Sequence, residues 1–406
     1  MEQKLFTKNF MLLVLGQISS LFGNYILRLA LSMYVLEETG SAAVFAGILS
    51  VAAVPAIVLS PFGGILADRA DKRNIMVALD MLTGITVFFA AVFLYGGRGL
   101  GVISILLVLL SVFGAFETPT VQACIPSMLS GDNIVKGNAV VNQVASLSYL
   151  TAPMLGGVLY AAVGLKPVMY ASAGCFFITA LFECFIELGV QPKRCRGNIV
   201  SVVKYDFLTS IRFITKERAD ILKMLLLAAL SRFFVMGVTL VGLPFIVRSI
   251  LGLDAKYYGA AESMLAVATI LGSIAAGFLT GRLKSGGLSV VLSAIGICII
   301  PAGAAFLFPL RAVVTYAVIV AAFCGMQIAI SIFSIFAVSM IQQNTPEHLI
   351  GKVMAYTSAI TMCAQPVGQM AYGFLFDCFR RDVYLVLIPT GAVVCLLGLL
   401  SAERYD

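Results

Sequence analysis

The sequence has no tryptophan, one histidine and few charged residues, which make up 12 % of its 406 residues. Soluble domains carry about 25 % charged residues, so an ordinary soluble domain, a disordered chain and a nucleic-acid-binding domain are all excluded. Nine cysteines are present, but they form neither a CxxC pattern nor a Cys/His spacing. The sequence therefore predicts no disulfide framework and no metal site.

Motifs for nucleotide chemistry are also missing. The pattern G-x-x-x-x-G-K-[ST], whose backbone would cradle the phosphates of ATP, does not occur. The single histidine, His348, lies beside Glu347 in a short loop between apolar runs, where a solvated side chain is expected. We therefore predict no enzyme activity, no cofactor, no ATP-driven step and no nucleic-acid partner.

Apolar residues dominate what is present: they make up 60 % of the chain, and the mean hydropathy is +1.02. A helix needs about 20 mostly apolar residues to cross the hydrocarbon core of a bilayer, so twelve spans would use about 240 residues. The sequence predicts an all-α membrane protein with twelve transmembrane helices. The predicted spans are 10–36, 44–67, 75–96, 100–125, 137–163, 167–190, 222–248, 258–281, 288–308, 312–341, 352–377 and 383–402.

The basic residues are distributed unevenly between the two sides of these spans. Of the 27 lysines and arginines, 18 fall on the side of the N-terminus and 7 on the opposite side, and two lie within spans. Loops rich in Lys and Arg stay in the cytoplasm. An even number of spans places both termini on the same side, so we expect both to be cytoplasmic.

The longest hydrophilic stretch separates spans six and seven and predicts two six-helix halves, 1–190 and 222–406, joined by a cytoplasmic linker at 191–221. Within the linker, apolar residues recur at helical spacing among basic ones, which is typical of an amphipathic helix on the membrane surface. A helix that binds a partner protein is the alternative. The apolar residues are Val203, Phe207, Ile211 and Ile214.

The two halves show an internal repeat at an offset near 213 residues. The second span ends at 64–69 with a Gly, Leu and Arg that recur at 277–282. Pro153 in span five matches Pro366 in span eleven, and a proline in the middle of a helix removes a hydrogen bond and bends it. Two parallel repeats with a substrate site between them are a transporter architecture.

The loop that follows the second span, 64–73, reads G-I-L-A-D-R-A-D-K-R. It resembles the loop motif G-x-L-A-D-R-x-G-R-K of the major facilitator superfamily, with Asp71 where the motif has its second glycine. The resemblance implies the major facilitator fold and a cytoplasmic gate that latches the outward-open state. The gate residues would be Gly64, Asp68, Arg69, Lys72 and Arg73.

Span five carries Ala152-Pro153-Met154-Leu155-Gly156-Gly157. The segment resembles the G-P-x-x-G-G core of the motif found in antiporters of this superfamily, with Ala152 in place of the first glycine. Pro153 would bend the helix, and Gly156 and Gly157 would allow close packing. The resemblance implies export rather than uptake.

Two further segments, 116–126 and 342–354, resemble the macrolide-efflux-type branch of the superfamily. This implies a monomeric secondary active transporter in the plasma membrane of a bacterium. It would export a small amphipathic compound, a drug or a metabolite, by proton antiport and alternating access. An importer of a small polar nutrient and a lysolipid transporter are the alternatives.

Ionisable residues inside a span are costly, so each needs a reason. In this superfamily helices one, four, seven and ten line the central cavity, which makes Glu117, Arg28 and Arg232 candidates for proton coupling or substrate binding, together with Asn24 and Gln327. A carboxyl group in an apolar environment favours its protonated form, so Glu117 could exchange a proton. The alternative is a buried Glu117–Arg28 ion pair that orients helices and never titrates.

Three other acidic residues lie nearer the ends of their spans: Asp80, Glu183 and Glu187. We expect them to reach the membrane interface or to pair there, which would remove the cost of burying their charge.

Overall fold

Long helices account for nearly all of the protein in the computed structural model, which describes residues 5–94, 99–188, 219–279 and 285–402. Within these ranges all regular structure is helical. The helices are α1 Lys8–Thr39, α2 Ala42–Arg69, α3 Lys72–Phe93, α4 Gly99–Met128, α5 Asp132–Val163, α6 Leu165–Cys184, α7 (Ala219–Met236, Gly237–Gly242, Leu243–Phe245 and Ile246–Ile250 in succession), α8 Ala255–Leu279, α9 Ser285–Ala304 with a 3₁₀ turn at Ala305–Leu307, α10 Ala312–Gln343, α11 Glu347–Cys378 and α12 Tyr384–Ala402.

Eleven of these twelve helices are long and apolar enough to cross a membrane. The exception is α11, which is 32 residues long but whose described residues include Gln365, Gln369 and Asp377. Only helices and closed barrels satisfy all backbone polar groups inside a bilayer. The prediction of an all-helical, multi-pass membrane protein is thus confirmed for the described residues.

Local signals explain where several helices begin and end. The Thr7 hydroxyl accepts a hydrogen bond from the Phe10 N–H at the start of α1, and Asp71 does the same for the Arg73 N–H at the start of α3. At the end of α1, Gly40 has a φ of 57° and donates its N–H to the Leu36 carbonyl. This left-handed conformation suits glycine and stops the helix.

Helix α7 departs from regular α-helical geometry at two places that the sequence did not predict. Two π-helical stretches, Gly237–Gly242 and Ile246–Ile250, flank a short α-helical segment that contains Pro244. Proline has no N–H to donate, so the regular backbone ladder is broken at this point. Such π-helical stretches occur frequently at functional sites.

The chain forms two compact units. Unit 1 comprises Met1–Gly40, Val51–Cys195 and Asp254–Ser263, and unit 2 comprises Ser41–Ser50, Arg196–Leu253 and Met264–Asp406. The first turns of α2 therefore belong to unit 2, whereas the first turns of α8 belong to unit 1.

Most of the proposed linker at 191–221 lies outside the described residues, as do the side chains of Gly64, Asp68 and Arg69. The division into halves 1–190 and 222–406 stays a prediction.

Candidate functional site

Three carboxyl groups and a hydroxyl group from four different helices meet in unit 1. The Ser20 Oγ of α1 lies 3.3 Å from Asp80 Oδ1 of α3 and 3.3 Å from Glu117 Oε1 of α4. The carboxyl group of Glu183, near the end of α6, lies within electrostatic reach of that of Asp80. We call Ser20, Asp80, Glu117 and Glu183 the carboxyl network.

Two members of the carboxyl network are buried almost completely. Asp80 and Glu183 are each 1 % exposed, and one oxygen of each, Asp80 Oδ2 and Glu183 Oε2, has no hydrogen-bond partner. These two side chains are therefore enclosed within the protein, and their position near the membrane interface stays a prediction. Glu187, one turn after Glu183, is exposed.

Arg28, the candidate cation of unit 1, does not form the ion pair with Glu117 that was the alternative to a role in transport. Its Nε donates to Asn24 Oδ1 at 2.7 Å, one turn earlier on α1, so two candidate residues are directly linked. Arg28 interacts with Glu117 only at longer electrostatic range. The guanidinium group therefore remains exposed and able to contact an anionic group.

A second polar group in unit 1 surrounds Glu262. The Tyr258 hydroxyl of the same helix donates to Glu262 Oε1, and Tyr149 of α5 lies within electrostatic reach of that carboxyl. The Tyr149 ring packs edge-on against Tyr25 of α1, with centroids 5.5 Å apart. Phenol groups thus connect α1, α5 and the start of α8.

The antiporter-like segment lies where α5 passes other helices at very short distance. A Cβ at Gly157 would lie 2.6 Å from the Ala255 carbonyl oxygen, and one at Gly156 would lie 3.1 Å from the Ile26 Cα. The Pro153 carbonyl oxygen would lie 2.3 Å from a Cβ at Gly259. The glycines are therefore required for close helix packing, as their resemblance to the motif implied.

Unit 2 holds the other two sequence candidates, each in a hydrogen bond with a neutral partner. Arg232 Nη2 of α7 donates to Gln365 Oε1 of α11 at 3.1 Å, and its Nε has no partner. Gln327 Nε2 of α10 donates to Thr269 Oγ1 of α8 at 3.0 Å. The structure thus places Arg232 and Gln327 in separate contacts.

In unit 2, the carboxylate of Asp377 at the end of α11 accepts hydrogen bonds from the beginning of α2. Asp377 accepts hydrogen bonds from the Ala42 N–H at 2.8 Å and the Ala43 N–H at 2.9 Å, and also from the Ser41 hydroxyl. One turn earlier, a Cβ at Gly373 would lie 2.4 Å from the Ala46 Cβ. A negative charge at a helix N-terminus is stabilising.

Two residues of the loop motif are described with their side chains. The Arg73 guanidinium donates to the Cys184 carbonyl at the end of α6, and Lys72 is the first residue of α3. Asp71, which replaces the motif glycine, caps α3. This departure from the motif therefore has a local structural role.

The carboxyl network is suited to holding protons. Among the residues whose side chains are described, no group of three or more His, Cys, Asp or Glu is arranged to hold a metal ion. Sequence reasoning placed Glu117 correctly inside the protein but missed Ser20 and the burial of Asp80 and Glu183. Ionisable residues within apolar runs were the signal for the acids, and nothing marked Ser20.

Comparison with known proteins gives the family. The model of the Major Facilitator Superfamily matches residues 13–368. The chain belongs to this superfamily. The chain is 21 % identical over 395 residues to macrolide efflux protein A of Streptococcus pyogenes. That alignment covers 94 % of this chain and 92 % of that protein. The chain is 22 % identical over 407 residues to the multidrug efflux pump Tap of Mycolicibacterium fortuitum, covering 96 % and 94 %.

Two solved structures of other transporters have a fold similar to that of this chain. The nucleoside transporter NupG matches with a TM-score of 0.72 at 14 % identity, covering 98 % of this chain and 99 % of that one. A bacterial homologue of the iron transporter ferroportin matches with a TM-score of 0.72 at 16 % identity, covering 98 % of both chains. At these identities the likeness shows the fold alone.

Together these findings show a multi-pass membrane transporter of the Major Facilitator Superfamily with relatives named as efflux proteins, and not an enzyme. Members of this superfamily carry small molecules. The predicted resemblance to the macrolide-efflux-type branch is confirmed.

Proposed function

We propose that this transporter exports a small amphipathic compound across the plasma membrane in exchange for protons. In this proposal a monomer crosses a bacterial membrane twelve times, with both termini in the cytoplasm, and works by alternating access of its two six-helix halves. The loop motif at Gly64, Asp68, Arg69, Lys72 and Arg73 forms the cytoplasmic gate.

Export is supported by the antiporter-like segment of α5. Pro153, Gly156 and Gly157 lie at the close crossings with α1 and α8, where only glycine leaves room for the neighbouring backbone. Two relatives that match nearly the whole chain are named as efflux proteins, one for macrolides and one for multiple drugs. Both observations favour outward movement of a drug-like compound.

Proton coupling is carried by one observation: Glu117 lies in a transmembrane helix and is hydrogen-bonded to Ser20 without an ion-pair partner among the described residues. An unpaired carboxylate is costly in a bilayer, so the group is suited to binding and releasing a proton. Arg28 and Asn24, joined by their hydrogen bond, would contact an anionic or polar group of the substrate. Arg232 and Gln327 would supply polar contacts from unit 2.

The test is transport by the purified protein in proteoliposomes with an imposed pH gradient. We expect movement of radiolabelled erythromycin, a macrolide, to be driven by the gradient in the wild-type protein. Gradient-driven movement should be lost in Glu117→Gln. The matched control is Glu187→Gln, which neutralises an exposed acid and should transport as the wild type does.

Other outcomes would overturn the proposal. Equal movement with and without the gradient would contradict proton antiport, and full activity of Glu117→Gln would contradict coupling through that residue. Accumulation of a labelled nucleoside or of D-xylose, instead of macrolide efflux, would indicate an importer of polar nutrients. Translocation of a fluorescent lysophospholipid would indicate a lipid transporter.

A further inference from the structure

The beginning of α2 packs as part of unit 2. Ser41–Ser50 belong to unit 2, whereas α2 from Val51 onwards belongs to unit 1. The sequence assigns the whole of α2 to the first six-helix half, and under alternating access each half moves as a body. If α2 moves with that half, its beginning has to separate from unit 2 once in every transport cycle.

The beginning of α2 lies against α11 along one face. Ala42, Ala46 and Ser50 are four residues apart, and residues at this spacing share one side of a helix. Ser50 is 2 % exposed, and its hydroxyl donates to the Pro366 carbonyl oxygen at 2.9 Å. A Cβ at Gly373, two turns further along α11, would lie 2.4 Å from the Ala46 Cβ and 2.8 Å from the Ala42 carbonyl oxygen. The two helices are therefore in direct contact here.

Asp377 lies at the end of this contact. Its carboxylate accepts hydrogen bonds from the Ala42 N–H at 2.8 Å and the Ala43 N–H at 2.9 Å, and also from the Ser41 hydroxyl. The same hydroxyl accepts a hydrogen bond from the Val44 N–H at 3.2 Å. The first N–H groups of a helix have no partner within the helix. Those of α2 are therefore satisfied by a residue of α11, directly or through Ser41, and they lose that partner when the two helices part.

The end of α11 repeats a pattern from the end of α2. Residues 373–377 read G-F-L-F-D and residues 64–68 read G-I-L-A-D, so glycine, leucine and aspartate recur at the same spacing. Two adjacent basic residues follow each aspartate, Lys72-Arg73 in one case and Arg380-Arg381 in the other. Under the proposed topology α2 runs inward and α11 runs outward, so the two copies lie on opposite sides of the membrane. This repeat is distinct from the offset of 213 residues, which relates the end of α2 to the end of α8.

We propose that Asp377 is the latch of an outer gate formed by the beginning of α2 and the end of α11. In this conformation its carboxylate holds α2 against α11 and closes the extracellular side between them. Opening to the outside requires α2 to leave Asp377, after which water satisfies both the carboxylate and the N–H groups. The latch rests on the proposed topology and alternating access, but it does not depend on the substrate or on the coupling ion.

The latch is suited to opening in every cycle because its strength is modest. A carboxylate at a helix N-terminus is favoured by the helix dipole as well as by its hydrogen bonds. Both partners regain water when they separate, so the net gain is that of an ordinary helix cap, which changes an equilibrium about fivefold. Replacing Asp377 should therefore shift the gate towards its open state without preventing folding.

Labelling of a cysteine placed at Ser50 tests the latch. Ser50→Cys introduces a thiol of similar shape at a position that the contact with α11 buries. Intact cells are treated with a trimethylammonium methanethiosulfonate, which does not cross the membrane, and the peptide that contains residue 50 is quantified by mass spectrometry under non-reducing conditions. In the Ser50→Cys background, Asp377→Ala should raise the labelling rate about fivefold, the effect of losing a helix cap. Asp377→Asn keeps an acceptor oxygen and should raise the rate less.

Two controls separate gate opening from unfolding. Asp382→Ala removes a neighbouring acid in the turn after α11 and should leave the labelling rate unchanged. The native Cys124 of unit 1, which is 0 % exposed, should stay unlabelled in every folded variant. If Asp377→Ala also exposes Cys124, Asp377→Asn is decisive by the same criterion.

Equal labelling of residue 50 with and without the Asp377 carboxylate would overturn the latch. A rise confined to inside-out vesicles, in which the reagent reaches the cytoplasmic side, would overturn its outer position. If labelling responds as expected while erythromycin efflux ignores the pH gradient, the antiport proposal fails and the latch stands. If efflux follows the gradient while labelling ignores Asp377, the latch fails and antiport stands.

Discussion

The two units of the transporter differ in where they keep their acidic groups. Among the described side chains of unit 1, four carboxyl groups in the transmembrane helices are buried or half-buried: Asp80, Glu117, Glu183 and Glu262. Among the described side chains of unit 2, the acids are Asp377, at the end of α11, and Asp382, in the turn that follows. The internal repeat of the chain is therefore not a repeat of its charges.

The polar interior of unit 2 is built from other groups. Gln327 bonds to Thr269, Arg232 bonds to Gln365, and the Tyr372 hydroxyl lies 2.7 Å from Thr390 Oγ1. Amides and hydroxyls do not ionise near neutral pH. Under the proposed proton antiport, the proton-exchanging groups would therefore lie in unit 1, and unit 2 would supply fixed polar contacts.

The largest effect is expected where both units behave alike, at their glycine crossings. A Cβ at Gly259 would lie 2.3 Å from the Pro153 carbonyl oxygen, a backbone atom that cannot move aside. Gly259→Val should therefore cost about 3 kcal/mol or more by overpacking. The measurement is folded yield and thermal unfolding in detergent. Gly373→Val should do the same in unit 2, where the Cβ would lie 2.4 Å from the Ala46 Cβ.

The control for these crossings is Gly174→Ala in α6. A Cβ there meets nothing within 4 Å, so the substitution should be neutral or should stabilise the helix by about 0.5 kcal/mol. Equal losses in Gly174→Ala and Gly259→Val would contradict the close-packing explanation.

The next effect separates the two units. Glu117→Gln should abolish gradient-driven macrolide efflux, because the amide that replaces the carboxyl cannot bind and release a proton. Arg232→Gln should slow efflux but leave it dependent on the pH gradient, because the group it replaces does not exchange protons. The measurement is the efflux rate with and without the gradient. If Arg232→Gln abolishes the pH dependence, proton chemistry is not confined to unit 1.

A smaller effect is expected at the beginning of α2. Asp377→Ala removes the acceptor of the Ala42 and Ala43 N–H groups and should cost about 1 kcal/mol, as loss of a helix cap does. Asp377→Asn keeps an acceptor oxygen and should cost less. Thermal unfolding in detergent checks this order, with Asp382→Ala as control. An unchanged transition in Asp377→Ala would show that the carboxylate does not stabilise α2.

The smallest effect is expected for the hydrogen bond between α8 and α10. Thr269→Val keeps the side-chain shape but removes the acceptor of Gln327 Nε2. Hydrogen bonds between transmembrane helices contribute about 0.6 kcal/mol on average, so the shift in thermal unfolding should be barely measurable. A loss of several kcal/mol would mean that unit 2 depends on this contact far more than unit 1 depends on its glycines.

The helices were predictable because apolar runs of spanning length leave few alternatives in a bilayer, and the close packing at Gly156 and Gly157 followed from the motif. The carboxyl network was not predictable. Whether Asp80 reaches the interface depends on how α3 packs against α6, which no local spacing encodes. Asp377 caps a helix that begins 335 residues earlier in the chain, and the π-helical stretches of α7 have no sequence signal beyond Pro244.

The most direct test of proton antiport through Glu117 is to measure proton movement during transport. A pH-sensitive dye trapped in proteoliposomes reports protons that cross while an outward erythromycin gradient drives the transporter. We expect the wild type and Glu187→Gln to move protons in the direction opposite to erythromycin, and Glu117→Gln to move none. Proton movement by Glu117→Gln at the wild-type rate would contradict it.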